Sequence, residues 1–419
     1  MMWFLFMLLI FFLPFQNHYL VNVTIGGVTI FKLLGVVLFL FAFGRAAVRG
    51  MPNYLGSLPA KALFFFVTWR ALSWVFAGQA LAGLQDWTSY GVANAVSALL
   101  LLFITMVFVD SKDKLRHLLF VVVAGMGLAA LYIIRDYLGG DDRPGWPFSD
   151  ANYYALYAMS ALPLALAVLG ETKSKLARWG CYACIGLTVV GVILSASRAG
   201  FITLFLFGVI QVIRGQSRQQ RVAVLAALLL CSFFVAPKAI QRLLNPTIND
   251  EESTFAHKAF AKAAFHMMLD HPLLGVGPSS AYFKAYIPTT GNKVSGIAHN
   301  TFLELGAESG VPALLAYLCL IGSCFFLLTR KTREFGRRGE IFLKNVSRGL
   351  QLGLFNSTLI GLSVSGSNVR FLWLGFTLII LLNQRRLILE PRREQAAGAL
   401  PSGAVPHPFS TPSLDNSLR

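Results

Sequence analysis

An all-α, polytopic transmembrane fold with about twelve spans and one large non-cytoplasmic loop follows from three features: the apolarity of the chain, the length of its apolar runs, and the alternation of basic connections between them. Of 419 residues, 56% are hydrophobic and 13% charged, and the mean hydropathy is +0.63, which excludes a soluble domain of ordinary composition. Phe occurs 35 times and Trp 7 times, and the apolar residues gather into runs. Most of these are long enough to cross a hydrocarbon core of roughly 30 Å. The runs are continuously apolar, whereas barrel strands of ~10 residues alternate apolar with polar, so helices are expected.

In chain order the expected spans are Trp3–Phe15, Thr29–Gly44, Ala62–Leu81, Tyr90–Val109, Leu118–Tyr137, Tyr153–Leu169, Trp179–Ser195, Ala199–Ile213, Val222–Ala236, Phe302–Leu328, Leu350–Val364 and Phe371–Leu382. The first run has neither a basic start nor a small-residue cleavage site, so it reads as a retained span and not a signal peptide. This divides the chain into nine spans over 1–236, a loop over 237–300, three spans over 301–389 and a tail over 390–419. The tail is rich in Pro, Ser, Ala and Gly, has little to bury, and is expected to be disordered.

Every second connection is basic. Arg45 and Arg49, then Lys112, Lys114 and Arg116, then Lys173, Lys175 and Arg178, then Arg214, Arg218 and Arg221 mark one side. Arg330 to Arg338, and Arg385 to Arg393, continue the series. Cytoplasmic loops retain Lys and Arg, so twelve spans place these groups and both termini in the cytoplasm. The net charge of +17 and the pI of 9.9 are then topological, and no nucleic-acid partner is expected. The five Cys all lie in apolar runs and form no disulfide framework. Cys181 and Cys184 make a C-x-x-C inside a span, where they read as small packing residues. No metal-ligand spacing occurs, and no cofactor is expected.

Two outer segments have the length and polarity for chemistry, 138–152 and 237–300. Within the second, Glu252–Asp270 sets Phe255, Phe260, Ala263, Ala264, Met267 and Met268 mainly on one side of a helix, the pattern of an amphipathic helix at the membrane interface. His271 and Pro272 end it, and Gly275 and Gly277 supply flexible backbone.

Charge inside a bilayer is costly, about 2.5–3.5 kcal/mol at a helix centre on insertion scales, so each such residue is a functional candidate. Arg70 lies inside the third span. Lys32 and Arg135 lie near span ends, where snorkelling explains them. Arg198 is different: Ser195-Ala196-Ser197-Arg198-Ala199-Gly200 joins two spans with almost no loop, on the side where Lys and Arg are scarce. An arginine there can grip a phosphate bidentately, or it can be an interfacial anchor.

His299-Asn300-Thr301-Phe302-Leu303-Glu304 stands where the long loop re-enters the membrane. Thr301 and Glu304 have capping-box spacing, which would start the tenth span, and Glu308 falls one turn later on the same face. His299 has an unperturbed pKa near neutrality, as a general base requires, although a histidine at a helix start is often structural.

At these residues the chain resembles the O-antigen ligase and polymerase superfamily, membrane glycosyltransferases acting on undecaprenyl-diphosphate-linked glycans. The likeness is carried by Ser195 to Gly200, by Asp270-His271-Pro272-Leu273-Leu274-Gly275-Val276-Gly277, and by His299 to Glu304 running on to Glu308-Ser309-Gly310. Asp150-Ala151-Asn152 is a weaker fourth stretch.

The resemblance implies that Arg198 binds the diphosphate and that His299 activates the acceptor hydroxyl. The family usually carries a second arginine in the helix before the H-P-L-L-G motif. This sequence has His257, Lys258 and Lys262 there instead, with Arg242 further away. Arg70, Asn300, Glu304 and Asn152 complete the expected substrate contacts. The implied reaction is a single inverting displacement, without metal, on a bacterial inner-membrane protein whose loop is periplasmic. The implied partners are an undecaprenyl-diphosphate-linked glycan donor, the lipid A core or another glycan as acceptor, and membrane lipids.

Within the superfamily, the motifs do not separate a ligase from a polymerase or an O-oligosaccharyltransferase. A flippase or secondary transporter also has about twelve spans and intramembrane arginine, but paired halves and matching Gly/Pro-interrupted spans are missing from the sequence. A scaffold would tolerate loss of both Arg198 and His299.

Overall fold

The computed structural model describes residues 1–15, 23–25, 28–77, 90–148, 150–214, 248–279, 283–284, 286–287, 296–366 and 369–384. Among them the helices are α1 (Met2–Phe12), α2 (Ile30–Arg49), α3 (Leu58–Ala77), α4 (Tyr90–Phe108), α5 (Lys112–Leu138), α6 (Ala151–Glu171), α7 (Lys175–Leu194), α8 (Arg198–Arg214), α9 (Ile248–Asp270), α10 (Thr301–Arg337), α11 (Ile341–Gly361) and α12 (Arg370–Leu381). A small antiparallel hairpin pairs Thr24–Ile25 with Val28–Thr29 ahead of α2. Apart from this hairpin, the regular structure among the described residues is helical. Every expected span has a helix except Val222–Ala236, which lies outside the described residues, as do Arg242 and the tail.

By length and composition, five of these helices can cross a membrane: α2, α5, α6, α7 and α10. Helix starts are set by side-chain caps. Ser111 accepts the Lys114 N–H, Asp150 the Asn152 N–H and Ser174 the Ala177 N–H, so each helix begins at the first residue after a short polar side chain.

Helix α6 sits deep in the bundle against α11. Gly349 and Gly353 let the two backbones approach until an added Cβ would collide with the carbonyls of Pro163 and Ser160. Pro163 interrupts α6 and, lacking an N–H, leaves the Met159 carbonyl without its helical donor. Asn356 of α11 replaces that donor, its Nδ2 lying 2.8 Å from the Met159 oxygen. A cluster of Phe66, Tyr317, Trp373 and Phe376 joins α3, α10 and α12, with ring centroids 5.6–6.1 Å apart for Phe66–Trp373, Phe66–Tyr317, Trp373–Phe376 and Tyr317–Phe376.

At one end of the bundle the basic connections meet in ion pairs: Arg45 and Lys114 each lie 2.7 Å from Asp110, and Lys112 lies 2.9 Å from Glu340.

Three sequence expectations change. Thr301 and Glu304 do not form a capping box: the N-cap of α10 is Asn300, whose Oδ1 accepts from both the Phe302 and Leu303 N–H at 3.0 Å. Thr301 is thereby released to donate to the Val364 carbonyl at 2.7 Å. The span Phe302–Leu328 is not one continuous helix, since Gly310 (φ 77°, ψ 174°) breaks α10 into two segments. The amphipathic helix is present, but its apolar face is Phe260, Ala263, Ala264 and Met267, packed on Leu303 and Ala307 of α10, while Phe255 is exposed.

Candidate active site

The site lies where the N-termini of α6, α8 and α10 come together. Asp150 caps α6 by accepting the Asn152 N–H at 2.7 Å. The Asn152 Oδ1 accepts the Ser197 hydroxyl at 2.7 Å, and the Ser197 Oγ accepts the Gly200 N–H at 3.1 Å, capping α8. Gly200 is required by the close approach of α8 to α6, because a Cβ there would lie 2.7 Å from that of Ala155. The third N-terminus is tied in by Asn300, which donates to the Leu362 carbonyl at 3.0 Å, and by Thr301, which also accepts the Gly366 N–H at 2.9 Å. Three helix starts, each with the positive end of its dipole and its unpaired N–H groups, favour an anion at this end of the bundle.

Among the described residues two non-glycine residues have positive φ, Ala196 (φ 52°) and His299 (φ 48°). They stand in the two motifs that build the site, where such strain is typically held by surrounding contacts.

The His299 imidazole faces His257 of α9, with ring centroids 4.2 Å apart, and Phe260 at 6.4 Å. Burial, the neighbouring His257 and the Arg143 guanidinium push the His299 pKa down to about 4, against an opposing pull from Asp150. His257 is lowered as well, by burial and then by Arg198 and Arg143, with Asp150 again opposing. His299 therefore does not titrate near neutrality here; it is neutral at pH 7 and can accept a proton. Arg198 is exposed at the start of α8 and makes no ion pair with the described residues.

The H-P-L-L-G segment has a different task. It follows α9 and runs along the broken part of α10: the Val276 N–H donates to the Ala307 carbonyl and the Gly277 N–H to the Glu308 carbonyl, both at 2.9 Å, while the Val311 N–H donates to the Pro272 carbonyl at 2.8 Å. From the other side α3 clamps it. Trp69 Nε1 donates to the Leu273 and Ser309 carbonyls at 3.2 and 3.1 Å, and the Ser73 hydroxyl donates to the Leu274 carbonyl at 2.5 Å. Arg70, 2% exposed, forms an ion pair at 2.9 Å with Glu308, 1% exposed. The segment holds α9, and with it His257, against α10.

His299, His257, Arg198, Asn152 and Asn300 are thus brought together. Arg70 is buried in its pair with Glu308, and Glu304 is buried within α10. Lys258 and Lys262 lie on the exposed side of α9 with Phe255, Phe265 and Leu269, opposite the packed residues. Sequence reasoning missed Arg143, whose field reaches both histidines. Like Arg198, Arg143 is an arginine in a connection poor in basic residues, a signal present in the sequence.

An all-helical membrane protein with an anion-attracting histidine and arginine site at one end of its bundle is the class these features define. Residues 183–318, about a third of the chain, match the family model described as O-antigen ligase, so this part of the chain is similar to the family that its motifs resemble. That family is one of membrane glycosyltransferase-type enzymes. No curated protein matches the chain.

Proposed function

We propose that this protein is an O-antigen ligase, transferring a glycan from undecaprenyl diphosphate to a sugar hydroxyl of the lipid A core at the periplasmic face of the bacterial inner membrane. The observation that carries the reading is the link through His257: its ring stands 4.2 Å from that of His299, and the Arg198 guanidinium is near enough to lower its pKa. The acceptor O–H gives its proton to the His299 imidazole as its oxygen bonds to the anomeric carbon. The bond from that carbon to the phosphate oxygen breaks, and its electron pair leaves with the diphosphate. Arg198 and the helix dipoles stabilise the charge that develops there. The displacement inverts the anomeric centre and uses no covalent enzyme intermediate.

A base with a pKa of about 4 is weak, and the donor corrects this. A diphosphate beside the imidazole favours its protonated form and raises its pKa, so the base strengthens once donor is bound. On this reading about twelve spans, with the basic connections and both termini in the cytoplasm, orient the site outward, and the exposed side of α9 meets the lipid headgroups.

The test is a gel profile of lipopolysaccharide, with lipid-linked glycan extracted in parallel, from cells lacking the protein and from cells carrying His299→Ala or Arg198→Ala at matched expression. Bare core with long polymer on the undecaprenyl carrier is the expected result. Core bearing a single repeat would instead assign a polymerase, and loss of protein glycans an O-oligosaccharyltransferase. Wild-type profiles from both variants would remove the catalytic assignment.

A further inference from the structure

We infer that Arg143, in the connection between α5 and α6, is the second cation of the diphosphate site and stands in for the arginine that α9 lacks; this rests on the transferase reading above.

A diphosphate carries more charge than one exposed arginine neutralises, and α9 does not supply the rest. Lys258 and Lys262 are on its exposed side, away from the packed face. His257 faces the site, but burial and the two guanidinium groups disfavour its charged form. Arg143 is placed differently. Its Nη2 lies 3.8 Å from Asp150 Oδ2, an ion-pair distance too long for a hydrogen bond, and its side chain is 49% exposed, so its donors remain available. Asp150 Oδ1 accepts from Asn152, Asn152 Oδ1 accepts from Ser197, and Ser197 is bonded in sequence to Arg198. The Arg143 guanidinium is thereby linked across the N-termini of α6 and α8 to the residue that precedes Arg198, and both guanidinium groups act on His257.

The connection that carries Arg143 is well held. The Arg143 N–H donates to Asp141 Oδ1 at 2.9 Å, and the Phe148 N–H to the Gly145 carbonyl at 2.8 Å. Gly145 packs so tightly on the Asp150–Ala151 peptide that a Cβ would lie 2.5 Å from the Asp150 carbonyl carbon. Asp150 then serves as the partner Arg143 exchanges for phosphate. The ligand class is a polyprenyl diphosphate ester, and a monophosphate ester satisfies only one of the two arginines.

The test uses the full-length protein in nanodiscs, with undecaprenyl-diphosphate glycan as donor and with undecaprenyl diphosphate and undecaprenyl monophosphate as competing inhibitors. Arg143→Ala is expected to raise the donor KM about ten- to a hundredfold, the scale of one lost charge-assisted contact. It should also erase the preference for diphosphate over monophosphate, and Arg143→Lys should restore part of both. The double variant Lys258→Gln/Lys262→Gln should keep the wild-type preference. If Arg198→Ala and His299→Ala lose transfer while Arg143→Ala keeps the wild-type KM and preference, the inference about Arg143 falls alone. If all three transfer normally, the transferase reading falls with it. Should Arg143→Ala not fold, Asp150→Asn decides the matter. Asparagine still caps α6 but frees Arg143 of its partner, so tighter inhibition by undecaprenyl diphosphate supports the inference and unchanged inhibition overturns it.

Discussion

The rings of His299 and His257 are 4.2 Å apart and tilted by 51°, so a proton on one opposes a proton on the other. Both are also partly buried, which disfavours the charged form of each. In the free protein the His299 base form is present above a pKa of about 4 and is lost as pH falls through that value. The acid limb of kcat/KM, which reports the free enzyme, should therefore lie near pH 4, while the acid limb of kcat, which reports the donor complex, should lie at higher pH. Replacing His257 by Gln removes the like charge and should move the kcat/KM limb upward. His299→Ala should lower kcat on the order of 10²–10⁴-fold. Identical limbs for kcat and kcat/KM would argue against a base tuned by the donor.

The pairing of Arg70 with Glu308 gives α3 its buried charge for a structural reason. Two Arg70 nitrogens, Nε and Nη1, are buried without a partner, so the guanidinium depends on Glu308. Glu308→Leu is expected to cost about 3–5 kcal/mol by leaving a buried unpaired cation, whereas Arg70→Met combined with Glu308→Leu should recover most of it. Thermal unfolding in detergent for the two single variants and the double variant checks this. A double variant no more stable than the singles would show that the charges do more than balance each other.

The helix positions were legible because long apolar runs leave few alternatives to a helix. Helix ends were less so, since α5 reaches back to Lys112 and α10 on to Arg337 through polar turns that carry no hydropathy signal. Arg198 and His299 could be singled out by position, being polar residues at the starts of apolar runs, and the structure sets both at helix starts. The partner of Glu308 could not, because Arg70 lies 238 positions away and pairing across a bundle leaves no local pattern. The orientation of Lys258 and Lys262 was hidden for a related reason: α9 has apolar residues on two sides, Phe260 and Met267 inward and Phe265 and Leu269 outward, and only packing decides which is covered.

Gly310 joins the two parts of α10 in a conformation open only to glycine, with φ 77° and ψ 174°. A side chain there would also collide with the Leu273 carbonyl of the H-P-L-L-G segment. Gly310→Ala is expected to lose at least about 1–3 kcal/mol to backbone strain and to loosen the segment that holds His257 near His299. Unfolding temperature and hydrogen exchange at Val276, Gly277 and Val311, whose N–H groups bond across this junction, should both respond. Wild-type protection at these amides would mean that the segment does not depend on the break in α10.

Pro163 and Asn356 make a reciprocal test of packing inside the bundle. Pro163 deprives the Met159 carbonyl of its helical donor, and Asn356 Nδ2 supplies one from α11 at 2.8 Å. With Pro163 in place, Asn356→Leu should destabilise by about 1–3 kcal/mol, since a buried acceptor is left unpaired. With Pro163→Ala the helix regains its own N–H donor at that carbonyl, so Asn356→Leu should cost measurably less. A double-mutant cycle on thermal unfolding reads the difference directly. Coupling on the order of 1 kcal/mol between two residues on different helices would establish that Asn356 compensates the proline, and no coupling would leave Asn356 as a packing residue alone.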